Sequence, residues 1–235
     1  MIADTDFCTF RASVLGEGLT DDQARKVLGN AVPNTYGKNR MLFTQDEPAK
    51  YVFLILDGWV KVYRETVDGD DAVMRVDSVG ETIGISALYG DRTYIASAEA
   101  ESDVRLLPVS TKSLALWAQE IPQLSVNLMT GMSRAMRELA NDLEKMKCRS
   151  ASLRLIDFLL QHCSVEHGPA VISLPYGKSL IARQLGMRPE SFSRVLAQLV
   201  SRGVKVTRER VQISDVGTLH SLANGEPGGY NRIAL

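Results

Sequence analysis

The chain has 235 residues, 45% of them hydrophobic, which is enough for one large or two small domains with a packed core. No apolar run approaches the ~20 residues of a membrane span, and the N-terminus "MIADTDFCTFRAS" is acidic and polar, unlike a secretory signal. Three scattered cysteines give no disulfide framework, so a cytoplasmic chain with reduced thiols is expected.

The net charge of −1 hides an asymmetry. Residues 1–148 carry 16 Lys+Arg against 22 Asp+Glu, whereas residues 149–213 carry 10 against 4. An acidic first part joined to a basic second part predicts that only the second meets a polyanion.

Residues 20–31 ("TDDQARKVLGNA") read as a short helix capped by Thr20. From 35 to 110 the pattern becomes short β-rich runs separated by Gly and Asp: "MLFTQ", "YVFLIL", "WVKVYRETV", "AVMRVDSV", "YIASAEA" and "VRLLPVS". Asp-Gly in "VDGDD" (67–71) marks a hairpin turn. Many short strands with regular turns predict a sandwich or barrel. Within "WVKVYRETV", Val60, Val62 and Arg64 are expected to face away from Lys61 and Tyr63.

From about Ser113 the pattern turns helical. In 125–147, Met129, Met132, Met136, Leu139, Leu143 and Met146 step by alternating threes and fours, with charges between them. This a/d spacing predicts a helix–helix seam between two copies, softened by four methionines. Helices at about 149–164 and 178–201 follow, with the extended "AVISLPYG" between them. "VKVTRERVQIS" (204–214) reads as a small hairpin, and residues 218–235, ending in the Gly/Pro-rich "NGEPGGYNRIAL", as a disordered tail.

"SLIARQLGMRPESFSRVLAQL" holds two helical patterns broken at Gly186, with Ala182 four residues before the break. That is helix-turn-helix spacing: a small residue for close approach, a glycine in the turn, and apolar locking positions. Pro189 opens the second helix well. Polar groups crowd its N-terminal turns, where a helix lying in a DNA groove touches bases, and the hairpin adds Lys205, Arg208 and Arg210 like a wing.

Together these segments resemble the cAMP receptor protein/FNR superfamily of bacterial transcription regulators, from about residue 20 to 217. The likeness lies in "LDGWVKVY", the cassette "GETIGISALYGDRTYIASAEA", the long helix and the winged helix-turn-helix. "PESFSR" resembles the Glu-x-x-Ser-Arg signature of the FNR-type branch, and with "YIASAEA" it is most similar to denitrification regulators of the Dnr/NnrR kind.

The resemblance implies an α+β fold: an antiparallel, cyclic-nucleotide-binding-like β-roll at 1–124, a dimerisation helix at 125–148, and a winged helix-turn-helix at 149–217. It implies a homodimer that binds double-stranded DNA, meets RNA polymerase, and reads an inverted repeat of TTGAT- or TTGAC-like half-sites. Its expected DNA contacts are Ser179, Arg188, Glu190, Ser191, Ser193, Arg194, Lys205, Arg208 and Arg210.

The expected effector pocket holds Gly80, Glu81, Gly84, Ile85, Ser86, Arg92 and Thr93. In cyclic-nucleotide binders of this family a Glu that holds the ribose hydroxyl stands where this chain has Ile85, and the segment before Arg92-Thr93 is about three residues longer. An apolar residue accepts no hydrogen bond, so cAMP is disfavoured. Cys8, Cys148 and Cys163 are too dispersed for an iron–sulfur cluster within one chain. Haem stays open, although His162, His167 and His220 all lie in the second half. Cys163 reads either as a redox-sensitive thiol or as an ordinary buried cysteine. A small-molecule or gas effector is expected, of unassigned identity.

No Gly-x-Ser-x-Gly elbow, His-Glu-x-x-His, phosphate P-loop or clustered Asp/His pair is present, so an enzyme is not expected. The rival is a cyclic-nucleotide-binding signalling module without specific DNA binding. A regulator shifts a palindromic duplex, and the bare module does not.

Overall fold

The computed structural model describes residues 2–67, 69–207 and 209–225. The chain divides into two compact units, residues 1–138 and 139–235.

The first unit opens with α1 (Asp4–Ala12) and α2 (Asp21–Leu28). Strands follow: β1 (Asn34–Tyr36), β2 (Met41–Phe43), β3 (Tyr51–Asp57), β4 (Val60–Glu65), β5 (Asp71–Asp77) and β6 (Thr82–Ile83). A 3-10 turn at Ile85–Leu88 precedes β7 (Ser97–Ala100) and β8 (Val104–Ser110), and α3 (Thr111–Glu120) leads into the long α4 (Pro122–Cys148). The strands form two antiparallel four-stranded sheets, ordered β1-β8-β3-β6 and β2-β7-β4-β5.

The unbroken apolar run of β3 has a direct cause. Val52, Leu54 and Leu56 join Leu107 and Val109 of β8 in a core shared with α1–α4, while Phe53 and Ile55 face Val60, Val62 and Ala98 of the other sheet. A strand buried on both faces needs apolar residues at every position.

As expected, Thr20 caps α2, reciprocally with Gln23. The N-terminal segment, by contrast, forms a helix its acidic sequence did not announce. Phe7 and Phe10 of α1 enter the core, and buried Asp6 pairs with Arg105 of β8 at 2.8 Å.

Both faces of the first part of β4 are covered: Val60, Val62 and Tyr63 are buried, and so is Lys61. Its ammonium lies 2.7 Å from Asp71 and 3.1 Å from Glu99, and 4.3 Å from the centre of the Tyr63 ring. Burial opposes the Lys61 charge, but the bonds from the two carboxylates outweigh it and hold its pKa above the ordinary value. Two acidic neighbours and an aromatic face thus make a core position habitable for a cation.

The second unit takes in the end of α4, then α5 (Ala151–Gln161), β9 (Ala170–Ser173), α6 (Lys178–Gln184), α7 (Pro189–Val200), β10 (Val204–Thr207), β11 (Arg210–Ile213) and α8 (Val216–Gly225). Its sheet runs β10-β11-β9, all antiparallel. One apolar core joins α5, the two central helices, the sheet and Val216 and Leu219 of α8. The tail expected to be disordered from 218 is therefore corrected: its first residues form α8, because Leu219 is wholly buried. Residues 226–235 lie outside the described residues.

Candidate nucleic-acid interface and sensor site

The helix-turn-helix forms as read. Phe192, Val195 and Leu199 fix one face of α7 in the core, which leaves Glu190, Ser193 and Arg194 exposed together. Pro189 occupies the first turn of α7, and Arg188 is its exposed N-cap. Ser179 is exposed on α6, and Ser191 is half-buried. The Arg194 guanidinium reaches the Ser191 hydroxyl at 3.4 Å, and the Ser193 hydroxyl donates to the Pro189 carbonyl at 2.9 Å. Among the described residues Glu190 and Arg194 form no ion pair.

Gly186 makes the turn with φ at +63°, a backbone region that side-chain-bearing residues avoid. The Met187 amide donates to the Ala182 carbonyl at 2.8 Å and closes it. A Cβ at Gly186 would stand 2.9 Å from the Met146 terminal methyl of α4, so the glycine also admits the end of the long helix.

In the hairpin β10–β11, Val204, Val211 and Ile213 point into the core, and Lys205 and Arg210 are exposed. Arg208, also expected to contact DNA, lies outside the described residues. The interface thus presents two cations of the wing and the polar end of one helix.

On α4, Met129, Met132, Met136, Leu139, Leu143 and Met146 are all exposed, between 38% and 71%. Val126, at 53%, extends the strip one step further and escaped the heptad count because it breaks the three-four alternation.

The seven cassette residues lie at different depths. Gly80 and Gly84 hold left-handed backbone, Glu81 and Arg92 are exposed, and Ser86 and Thr93 are half-buried. Ile85 is buried, and a Cβ at Gly131 of α4 would sit 2.9 Å from its Cδ1. Ile85 therefore packs straight onto the helix backbone.

Nearby, Arg75 of β5 links three groups. It lies 2.9 Å from Asp77 and 3.9 Å from Glu138 of α4, and it donates to the Thr82 carbonyl at 3.3 Å. Burial pushes the Asp77 carboxyl up to about 7, although Arg75 pulls the other way. Asp77 stands two residues from Arg75, whereas Glu138, far along the chain, gave no sequence signal.

Among the described residues no group of His, Cys, Asp and Glu is placed to hold a metal ion. The three cysteines are free thiols, and burial pushes the Cys163 thiol up, which lowers its thiolate fraction and its reactivity. No helix among the described residues is long and apolar enough to cross a membrane.

Comparison with known proteins agrees with this layout. Residues 33–119 match the cyclic nucleotide-binding domain family, and residues 153–222 match the Crp-like helix-turn-helix domain family. The chain is 31% identical to a solved Ruegeria pomeroyi protein of the cyclic nucleotide binding kind, covering 96% of this chain and 100% of that one, with a TM-score of 0.64. It is 24% identical to the cyclic AMP receptor protein of Thermus thermophilus over 92% of this chain and 99% of that protein. It is 25% identical to the transcriptional activator protein anr of Pseudomonas aeruginosa over 82% of this chain and 80% of that protein.

Proposed function

Since the chain belongs to the cAMP receptor protein/FNR family of DNA-binding transcription regulators, we propose that it works as a cytoplasmic homodimer of the FNR-type branch, Dnr/NnrR-like. Two copies of α7 read an inverted repeat, and the dimer meets RNA polymerase. The polar end of α7 carries this reading: Glu190, Ser193 and Arg194 share one exposed surface at the start of a helix whose other face is locked in the core. An Arg fork suits guanine O6 and N7, and a carboxylate suits the cytosine amino group. Lys205 and Arg210 would neutralise phosphates. The resemblance of anr to this chain supports the branch.

The signal is other than cAMP. The buried Ile85 has no group to accept a ribose hydroxyl, and its side chain fills the space against Gly131.

The test is binding to duplexes changed one base pair at a time, at several salt concentrations. Arg194→Ala should cost roughly 1–3 kcal/mol per half-site and relax preference at one G. Lys205→Ala or Arg210→Ala should weaken all duplexes alike and flatten the salt dependence. An Arg194→Ala variant that weakens every duplex equally would show that α7 only clamps the backbone.

A further inference from the structure

A cavity of about 630 Å³ opens in the first unit, lined by none of the seven cassette residues. We infer that it binds a small aromatic carboxylate, held flat between Tyr36, Tyr51 and Val32 with its charge on Lys50.

The walls select an aromatic body. Phe43, Phe53 and Tyr94 are buried and form the floor, and Phe43 and Tyr94 stack at 3.8 Å. Val32 and Tyr51 stand at the rim 59% and 43% exposed, so apolar surface is turned towards water at the mouth of a concave site. The volume lies within the roughly 300–1,000 Å³ of small-molecule sites, and aromatic rings share the lining with polar side chains such as Asn30, Asn34, Ser110 and Ser113.

The charges select an anion. Among the described residues of the lining, Glu47 and Lys50 carry the charges, one of each sign. One oxygen of Glu47 is already engaged, accepting from the Thr44 amide at 3.2 Å and the Thr44 hydroxyl at 3.0 Å. The Lys50 ammonium is exposed and forms no ion pair among the described residues. A carboxylate is the group that would complete it.

The wall that carries Lys50 is held on both sides. The Thr111 hydroxyl and amide bond the Lys50 carbonyl at 3.1 and 3.0 Å, and the same hydroxyl bonds the Ala49 carbonyl at 2.9 Å. The Tyr94 hydroxyl donates to the Tyr51 carbonyl at 2.7 Å and accepts from its amide at 3.4 Å. A site held in this way loses little ordering free energy when it fills.

The experiment titrates the full-length protein with 2-naphthoate and, separately, with the uncharged 2-naphthamide, followed by calorimetry without DNA. Saturable binding of the naphthoate is expected, with the amide at least tenfold weaker. Lys50→Gln should weaken the naphthoate at least tenfold, and so should Val32→Asp, which sets a like charge at the rim. Ile85→Ala, in the cassette, should leave it unchanged. Absence of binding at millimolar naphthoate overturns the inference. So does equal binding of acid and amide, or a loss with Ile85→Ala that Lys50→Gln does not reproduce. DNA takes no part in the measurement, so its outcome is independent of the DNA-reading role of α7.

Discussion

Arg154 Nε donates to the Leu185 carbonyl at 2.9 Å, while its Nη1 donates to the Arg149 carbonyl at 2.9 Å. One guanidinium thus ties the chain just after α4 to the last residue before the helix-turn-helix turn. Both acceptors are backbone carbonyls near helix ends, where partners inside the helix run out.

Arg154→Ala should destabilise the second unit by about 1–3 kcal/mol, as expected when charge-assisted bonds to part-buried carbonyls are lost. Specific DNA affinity should fall with it, because the turn is no longer held. Arg154→Lys should rescue little, since an ammonium lacks the planar fork that spans both acceptors. Thermal melting and mobility-shift titration of the three proteins decide this. Unchanged melting of the Ala variant would refute the clamp.

Gly186→Ala should also destabilise, for two separable reasons. A positive φ costs a side-chain-bearing residue roughly 1–2 kcal/mol, and the new Cβ meets Met146 at 2.9 Å. Adding Met146→Ala should recover the second part and leave the first. A double-mutant cycle on the melting midpoint measures the coupling, and strict additivity would mean that Met146 simply moves aside.

Leu139→Glu or Leu143→Lys should yield monomers in sedimentation. A charge placed in a desolvated seam lacks a partner. Linked half-site binding would then be lost, and DNA affinity with it. A variant carrying both changes could re-pair its charges, so each is made alone. Persistence of the dimer in both would move the interface off α4.

Asp77 gives the molecule a pH dependence with a definite sign. Its carboxyl sits at about 7 in the folded chain, against an ordinary value of 3.8. The folded state therefore holds a proton that the unfolded state has released between those limits. The corresponding stability is fully present below about pH 4 and is lost as the pH rises through about 7. Asp77→Asn should flatten this dependence and raise the denaturation midpoint at pH 8, a tenfold difference in proton affinity between the two states being worth about 1.4 kcal/mol. Parallel pH profiles for the two proteins would show that Asp77 is already ionised at pH 5.

Millimolar cAMP should leave the melting temperature unchanged, whereas a ligand at 100-fold excess over its dissociation constant stabilises by about 2.7 kcal/mol. A clear cAMP-dependent shift would mean that Ile85 swings out of the core.

Much of the fold was legible because it rests on local rules. The capping box at Thr20, the double-faced run of β3 and the break at Gly186 each follow from neighbours in the chain. Three kinds of feature were not. The strands β1 and β6 span 3 and 2 residues, too short for any periodicity. Helix α1 stays folded through Asp6 and Arg105, a partnership across 99 residues. The burial of Lys61 was not legible because nothing near it in sequence announces Glu99 on β7. The polar turns of α7 were visible in the sequence, but Arg154, which bonds the carbonyl just before the turn, sits 31 residues from it.

The meeting of Ile85 with Gly131 also has a mechanical meaning. Where two elements touch through long side chains, rotamer changes absorb small movements before the backbones respond. Here one partner has no side chain, and the other is a stiff β-branched residue one step after Gly84. Any displacement of the 3-10 turn at Ile85–Leu88 is therefore delivered to the main chain of α4 with almost no slack, at a point two residues from Met129 and one from Met132 of the exposed strip.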